Sequence, residues 1–169
     1  REGRGFVWLG LHDPTAQQLE QLGEVFNLHP LALEDAATAR QRPKLERYDD
    51  QLFMVLKTAR YVEHEELTAT SEVVETGDVM LFLGERFAIT VRHGDACRLR
   101  GVRANLEQRA DLIQQGPWAV FHAVVDQIVD RYVEVVDAIE DDIDELEASV
   151  FDNSNVDIPR IYKLTREVV

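Results

Sequence analysis

From Phe121 to Val150 the apolar residues Phe121, Val125, Ile128, Tyr132, Val135, Ile139, Ile143, Leu146 and Val150 recur at alternating steps of about three and four. That spacing is the signature of one continuous helical stripe. At about 1.5 Å per residue the helix runs roughly 50 Å. It needs a partner along its whole apolar face, either a returning helix or another subunit. Asp152, Asn153, Ser154 and Asn155 supply a turn, and Ile158 onward predicts the start of the returning helix.

The remaining faces of this helix are crowded with acid. Asp126, Asp130 and Glu134 stack at four-residue intervals, as do Asp137 with Asp141, Glu140 with Asp144, and Asp141 with Glu145. Each like-charge pair at that spacing costs a helix a few tenths of a kcal/mol. Arg131 is the one base among them. The cluster Glu140, Asp141, Asp142, Asp144 and Glu145 is therefore either a solvated face screened by salt or a surface neutralised by divalent cations or by a basic ring elsewhere in an assembly.

Ahead of Gly116 and Pro117, short helix and strand signals alternate. Residues 6–11, 50–61, 71–75, 79–83 and 87–92 read as strands, the last two joined at Gly84 and Glu85 by a tight hairpin. Helices are predicted from Pro14 and Thr15 through Phe26, from Pro30 to about Arg42 and Pro43, and from about Ala96 to Arg109. The fold class that follows is α/β (α+β), with helices packed on a largely antiparallel mixed sheet. The predicted division is 1–117 for this α/β part, 118–151 for the long acidic helix, and 152–169 for the turn and the returning helix. The start at Arg1 and the stop inside a helical pattern read as a fragment of something longer.

Composition narrows the function. The 169 residues carry 18 Lys and Arg against 32 Asp and Glu, a net charge of −14. Nucleic acid and anionic lipid both call for basic surfaces, so neither is an expected partner. The natural counterpart of such a field is a cation, although acidity also serves solubility. No apolar run approaches the roughly 20 residues needed to cross a bilayer. A lone cysteine, Cys97, provides neither an internal disulfide nor a thiolate metal cage.

The densest stretch is HPLALEDAATARQRPKLERYDDQLFMVLK, His29 to Lys57. Glu34 and Asp35 fall side by side on its helix. Neighbours there diverge by about 100°, so these carboxylates face different partners and cannot both enter an apolar core. HPLALED, QRPKLE and the hydrophobic strand that follows resemble the cytosolic domain of the CorA family of pentameric magnesium channels. The likeness extends through the acidic helix and so covers most of the chain.

The resemblance implies a regulatory domain on the cytoplasmic side of the cell (inner) membrane. In the family, ions held between subunits keep a pore closed, and the membrane is reached only through segments beyond these 169 residues. It implies Mg2+ as the ion, with Co2+, Ni2+ or Zn2+ in relatives, and a homopentamer for the whole protein, the fragment being a monomer or a weak oligomer. Asp35 stands where the family faces a carboxylate on the neighbouring subunit's pore-lining helix. Asp126 stands where the family adds a carboxylate to a second site shared with the Glu34 position. The family's Gly-Met-Asn signature does not occur in this sequence.

Mg2+ keeps most of its water and takes one or two carboxylates, so such a site leaves little trace in spacing. Other constellations carry less. His12, His29, His64, His93 and His122 lack zinc-site spacing. Asp49 and Asp50 read as turn residues, and Trp8 and Trp118 as core or capping aromatics. No catalytic residues are assigned. The alternatives are a soluble Mg2+-dependent hydrolase using clustered acids near a phosphate, and an acidic helical interaction module.

Overall fold

Two runs of consecutive apolar residues, 52–56 and 79–83, dictate the architecture. Successive strand side chains point to opposite faces, so a strand without polar gaps must be covered on both. The computed structural model describes residues 5–63, 73–151 and Tyr162, and there both faces are covered. The elements are β1 (Val7–His12), α1 (Ala16–Phe26), α2 (Pro30–Ala37), β2 (Lys44–Tyr48), β3 (Gln51–Tyr61), β4 (Val74–Leu83), β5 (Phe87–His93), α3 (Arg100–Gln108), α4 (Ala110–Ile113) and α5 (Pro117–Phe151). The sheet order is β1-β5-β4-β3-β2, with β1 parallel to β5 and the other pairs antiparallel. This is the mixed, largely antiparallel sheet with helices that the sequence predicts.

Alternation divides the core cleanly. Leu52, Met54, Leu56, Val79, Leu81, Leu83 and Ala88 face α3 and α5, meeting Val102, Leu106, Val120, Val124 and Ile128. Phe53, Val55, Met80, Phe82, Ile89 and Val91 face the other way, against Leu19 of α1 and Ala32 and Ala36 of α2. Each large aliphatic side chain fully buried here contributes about 1.5–3 kcal/mol. α1 opens on a capping box in which Thr15 receives Gln18 N, and closes on Asn27 in the left-handed region, where Leu28 N returns to Gly23 O.

Four expectations are corrected. Residues 74–83 form one strand rather than two, because Gly77 stays extended and lies against His93 O, where a Cβ would sit 2.6 Å away. β2 was not predicted. Its five residues give no apolar alternation: Leu45 and Arg47 are exposed while Lys44, Glu46 and Tyr48 lie on the more covered face, and Asp49 and Asp50 make the two-residue turn into β3. α3 starts at Arg100, with Ala96, Cys97 and Leu99 buried ahead of it outside any helix. α5 is partly rotated from the predicted stripe: Ile128, Val135 and Leu146 are buried as predicted, Ala119, Val120, Val124 and Asp142 are buried beside them, and Tyr132 and Ile143 of the stripe are exposed, as are Trp118, Val129, Val133 and Val136. Two adjacent apolar bands run along this helix, and periodicity fixes the helix without choosing which band meets the sheet.

The partner of the long helix is the extended half of β3. Tyr132 Oη donates to Lys57 O, Tyr61 Oη donates to Asp142 Oδ2 (2.8 Å), and Leu146 packs with Val73. Gly116, at φ +77°, turns the chain so that Pro117 opens the helix. The predicted turn at 152–155 and the returning helix lie outside the described residues, apart from Tyr162, which is helical.

Candidate functional site

α2 is built to sit close to the sheet. Pro30 occupies its first turn, the His29 Nδ1 caps it by accepting from Leu31 N (3.3 Å), and the small residues Ala32 and Ala36 form its buried face. With the alanines inward, Glu34 projects to solvent and Asp35 is half-buried at the edge facing β2. Lys44 Nζ donates to Asp35 Oδ2 (2.7 Å) and lies 2.9 Å from Glu46 Oε2, to which Tyr48 Oη also donates (2.7 Å). The Tyr48 ring stacks on His29 at 4.0 Å, which returns the chain of contacts to the helix cap.

The side chains of the HPLALED and RPKLERY segments thus form one clamp from α2 to the edge strand. The hydrogen bonds to Asp35 and then Glu46 push the Lys44 ammonium well above its usual range. Bonds from Lys44 and Tyr48 hold the Glu46 carboxyl below the usual carboxylate range, and its acceptance from Tyr48 raises the phenol.

The C-terminal end of α2 has its own anchors. His93 Nε2 meets Ala36 O (2.9 Å), and Asp13 Oδ1 lies 3.3 Å from the other ring nitrogen. Asp78 on β4, 3% exposed, accepts from Arg40 N (2.6 Å) and Lys57 Nζ (2.5 Å). The helix carrying Glu34 and Asp35 is thus fixed at both ends.

Asp126 is elsewhere. It lies exposed on α5, in a groove of about 440 Å³ beside His122 and Asp130 that α3, α4 and α5 enclose. α2 packs on one face of the sheet and this half of α5 on the other, so Glu34 and Asp35 do not meet Asp126 within one chain. Among the described residues no group of three or more His, Cys, Asp or Glu is arranged to hold a metal. One or two carboxylates per face is the number of protein ligands that a hydrated Mg2+ ion ordinarily takes.

The distal acids divide. Glu140, Asp141, Asp144 and Glu145 are exposed, whereas Asp142 is buried on Tyr61 and does not belong to the acidic face. Arg131 pairs with Glu134 in the next turn. Trp118 is 60% exposed and rests edge-on against Phe121, so it is not a core residue. Lys44 was missed. The signal for it was Lys44, Glu46 and Tyr48 at two-residue spacing, which places all three on one face of a strand.

A mixed five-stranded sheet covered by helices on both faces, with one long helix across it, defines an α/β domain. Residues 3–169 match the family model for CorA-like Mg2+ transporter protein, and the chain belongs to that family. It is 34% identical over 144 residues to YfjQ of Bacillus subtilis, covering 85% of this chain and 42% of the relative. It is 30% identical over 167 residues to the cobalt/magnesium transport protein CorA of Thermotoga maritima, covering 95% and 44%. Its fold is that of the soluble domain of CorA from Methanocaldococcus jannaschii, with TM-score 0.63 at 16% identity over 86% of this chain and 56% of that one.

The family is one of ion transporters, not enzymes, which sets aside the hydrolase reading. The chain spans less than half the length of the curated relatives it matches. Among the described residues no helix is long and apolar enough to cross a membrane.

Proposed function

We propose that this chain is the cytoplasmic, cation-sensing part of a longer membrane channel for divalent metal ions, Mg2+ foremost, in which ions held between identical subunits keep the pore closed. One observation carries the reading: the candidate carboxylates Glu34 and Asp35 lie on the opposite side of the sheet from Asp126. An ion bound by both sets joins different copies. In a closed ring, here taken as a pentamer, each copy offers α2 to one neighbour and α5 to the other.

Carboxylates that face each other across an interface repel unless a divalent ion lies between them. At an effective dielectric of about 20, two unit charges about 4 Å apart interact by about 4 kcal/mol. Repeated around the ring, this difference is enough to bias a two-state assembly. Abundant internal Mg2+ then holds the ring and the closed pore, and depletion releases them. The exposed acids Glu140, Asp141, Asp144 and Glu145 attract the ions to this surface.

The test is protease protection of the whole polypeptide, membrane segments included, in millimolar Mg2+ and in chelator. Protection by Mg2+ that is lost in Asp35→Asn and weakened in Asp126→Asn supports the reading. Equal cleavage in both media overturns it.

A further inference from the structure

The side-chain amine of Lys44 already sits where a cation at Asp35 would bind. We infer that Lys44 is a tethered competitor of the divalent ion, and that its displacement from Asp35 onto Glu46 sets the ion concentration at which this domain responds. This rests on the reading of Asp35 as a cation ligand.

Three features support the exchange. Lys44 Nζ lies 2.7 Å from Asp35 Oδ2, in direct charge-assisted contact, so an ion taking that oxygen must move it. The ammonium has a second resting place, since Glu46 Oε2 is 2.9 Å from Nζ, and leaving Asp35 does not strand its charge. Both Lys44 (30% exposed) and Glu46 (38%) reach solvent, so the ammonium can leave Asp35 without entering the core.

The exchange also has a consequence for shape. Asp35 is on α2 and Lys44 on the edge strand β2, so an ion that displaces the ammonium removes one of the ties between them. His93 and Asp78 hold the end of α2 independently. The local event is therefore a loosening of β2 against α2, with the helix itself kept in place.

The experiment is a Mg2+ titration of the thermal unfolding midpoint of the intact protein in detergent. It compares the parent with Lys44→Met, Glu46→Gln, Asp35→Asn and the charge control Arg47→Met. Removing the ammonium lowers the half-saturating Mg2+ by about tenfold, the difference one charge-assisted hydrogen bond makes. Glu46→Gln, which takes away the resting place, raises it. Arg47→Met, on the same strand, leaves it within about twofold.

If Asp35→Asn abolishes the response while Lys44→Met, or Glu46→Gln should the methionine variant not fold, keeps the parent's half-saturation, the competitor role is overturned and the Asp35 reading stands. If Asp35→Asn responds like the parent, or if the parent does not respond, the Asp35 reading itself is overturned.

Discussion

The hydroxyl of Tyr61, the last residue of β3, donates to the carboxylate of Asp142 on α5 across 2.8 Å and 81 positions of sequence. The bond fixes the distal half of the long helix to the sheet and turns one acid of a dense cluster inward. Tyr61→Phe leaves a buried carboxylate short of a donor and should cost about 1–2 kcal/mol in urea unfolding. Glu140→Gln, on the exposed face, should stay within about 0.5 kcal/mol.

Asp78 and Lys57 give a larger effect. The carboxylate is buried, and among the described residues its remaining donor without Lys57 is the Arg40 amide. Lys57→Met therefore costs about 2–3 kcal/mol, because it leaves a buried charge half-satisfied. Equilibrium unfolding of the variant at neutral pH measures this directly. Asp78→Asn, which removes the charge, should recover part of the loss when combined with it.

Glu46 gives the clamp a pH signature. Its carboxyl is held below the usual range by Lys44 and Tyr48. A carboxyl lowered in the fold contributes stability that is present above its unfolded value and lost as pH falls through the lowered one. The destabilisation by Glu46→Gln is then complete at neutral pH and shrinks below about pH 4. It should not exceed about 1 kcal/mol, since the pair is partly exposed.

Cys97 is buried ahead of α3, and burial pushes its thiol up. The native protein should resist iodoacetamide at pH 8 and react at least about tenfold faster when unfolded, as followed by mass spectrometry. Equal rates in the two states would place the thiol at the surface.

Much of the fold was legible because β3 and β4 carry apolar runs on both faces and α1, α2 and α5 each begin on a cap or a proline, whereas α3 and α4 begin without a side-chain cap. The runs ending at Leu56 and Leu83 required cover on two sides, and the sheet has it. The rotation of α5 was not legible, since Val124 and Val125 are equally apolar neighbours and only the sheet decides between them. β2 was hidden by brevity and charge. Missing it hid Lys44, and with it the fact that Asp35 has a partner inside its own chain. Glu34 and Asp35 were placed on one short helix by sequence and are found there, but the sheet that separates them from Asp126 depends on strand pairing over long distances, which local pattern does not encode.

The most direct test of cation sensing is ion flux through the intact protein in liposomes, with Mg2+ or chelator on the side that carries this domain. Flux should fall in millimolar Mg2+ and stay high in chelator, and Asp35→Asn should keep it high in both. Flux that is identical in Mg2+ and in chelator for the parent protein would contradict the account.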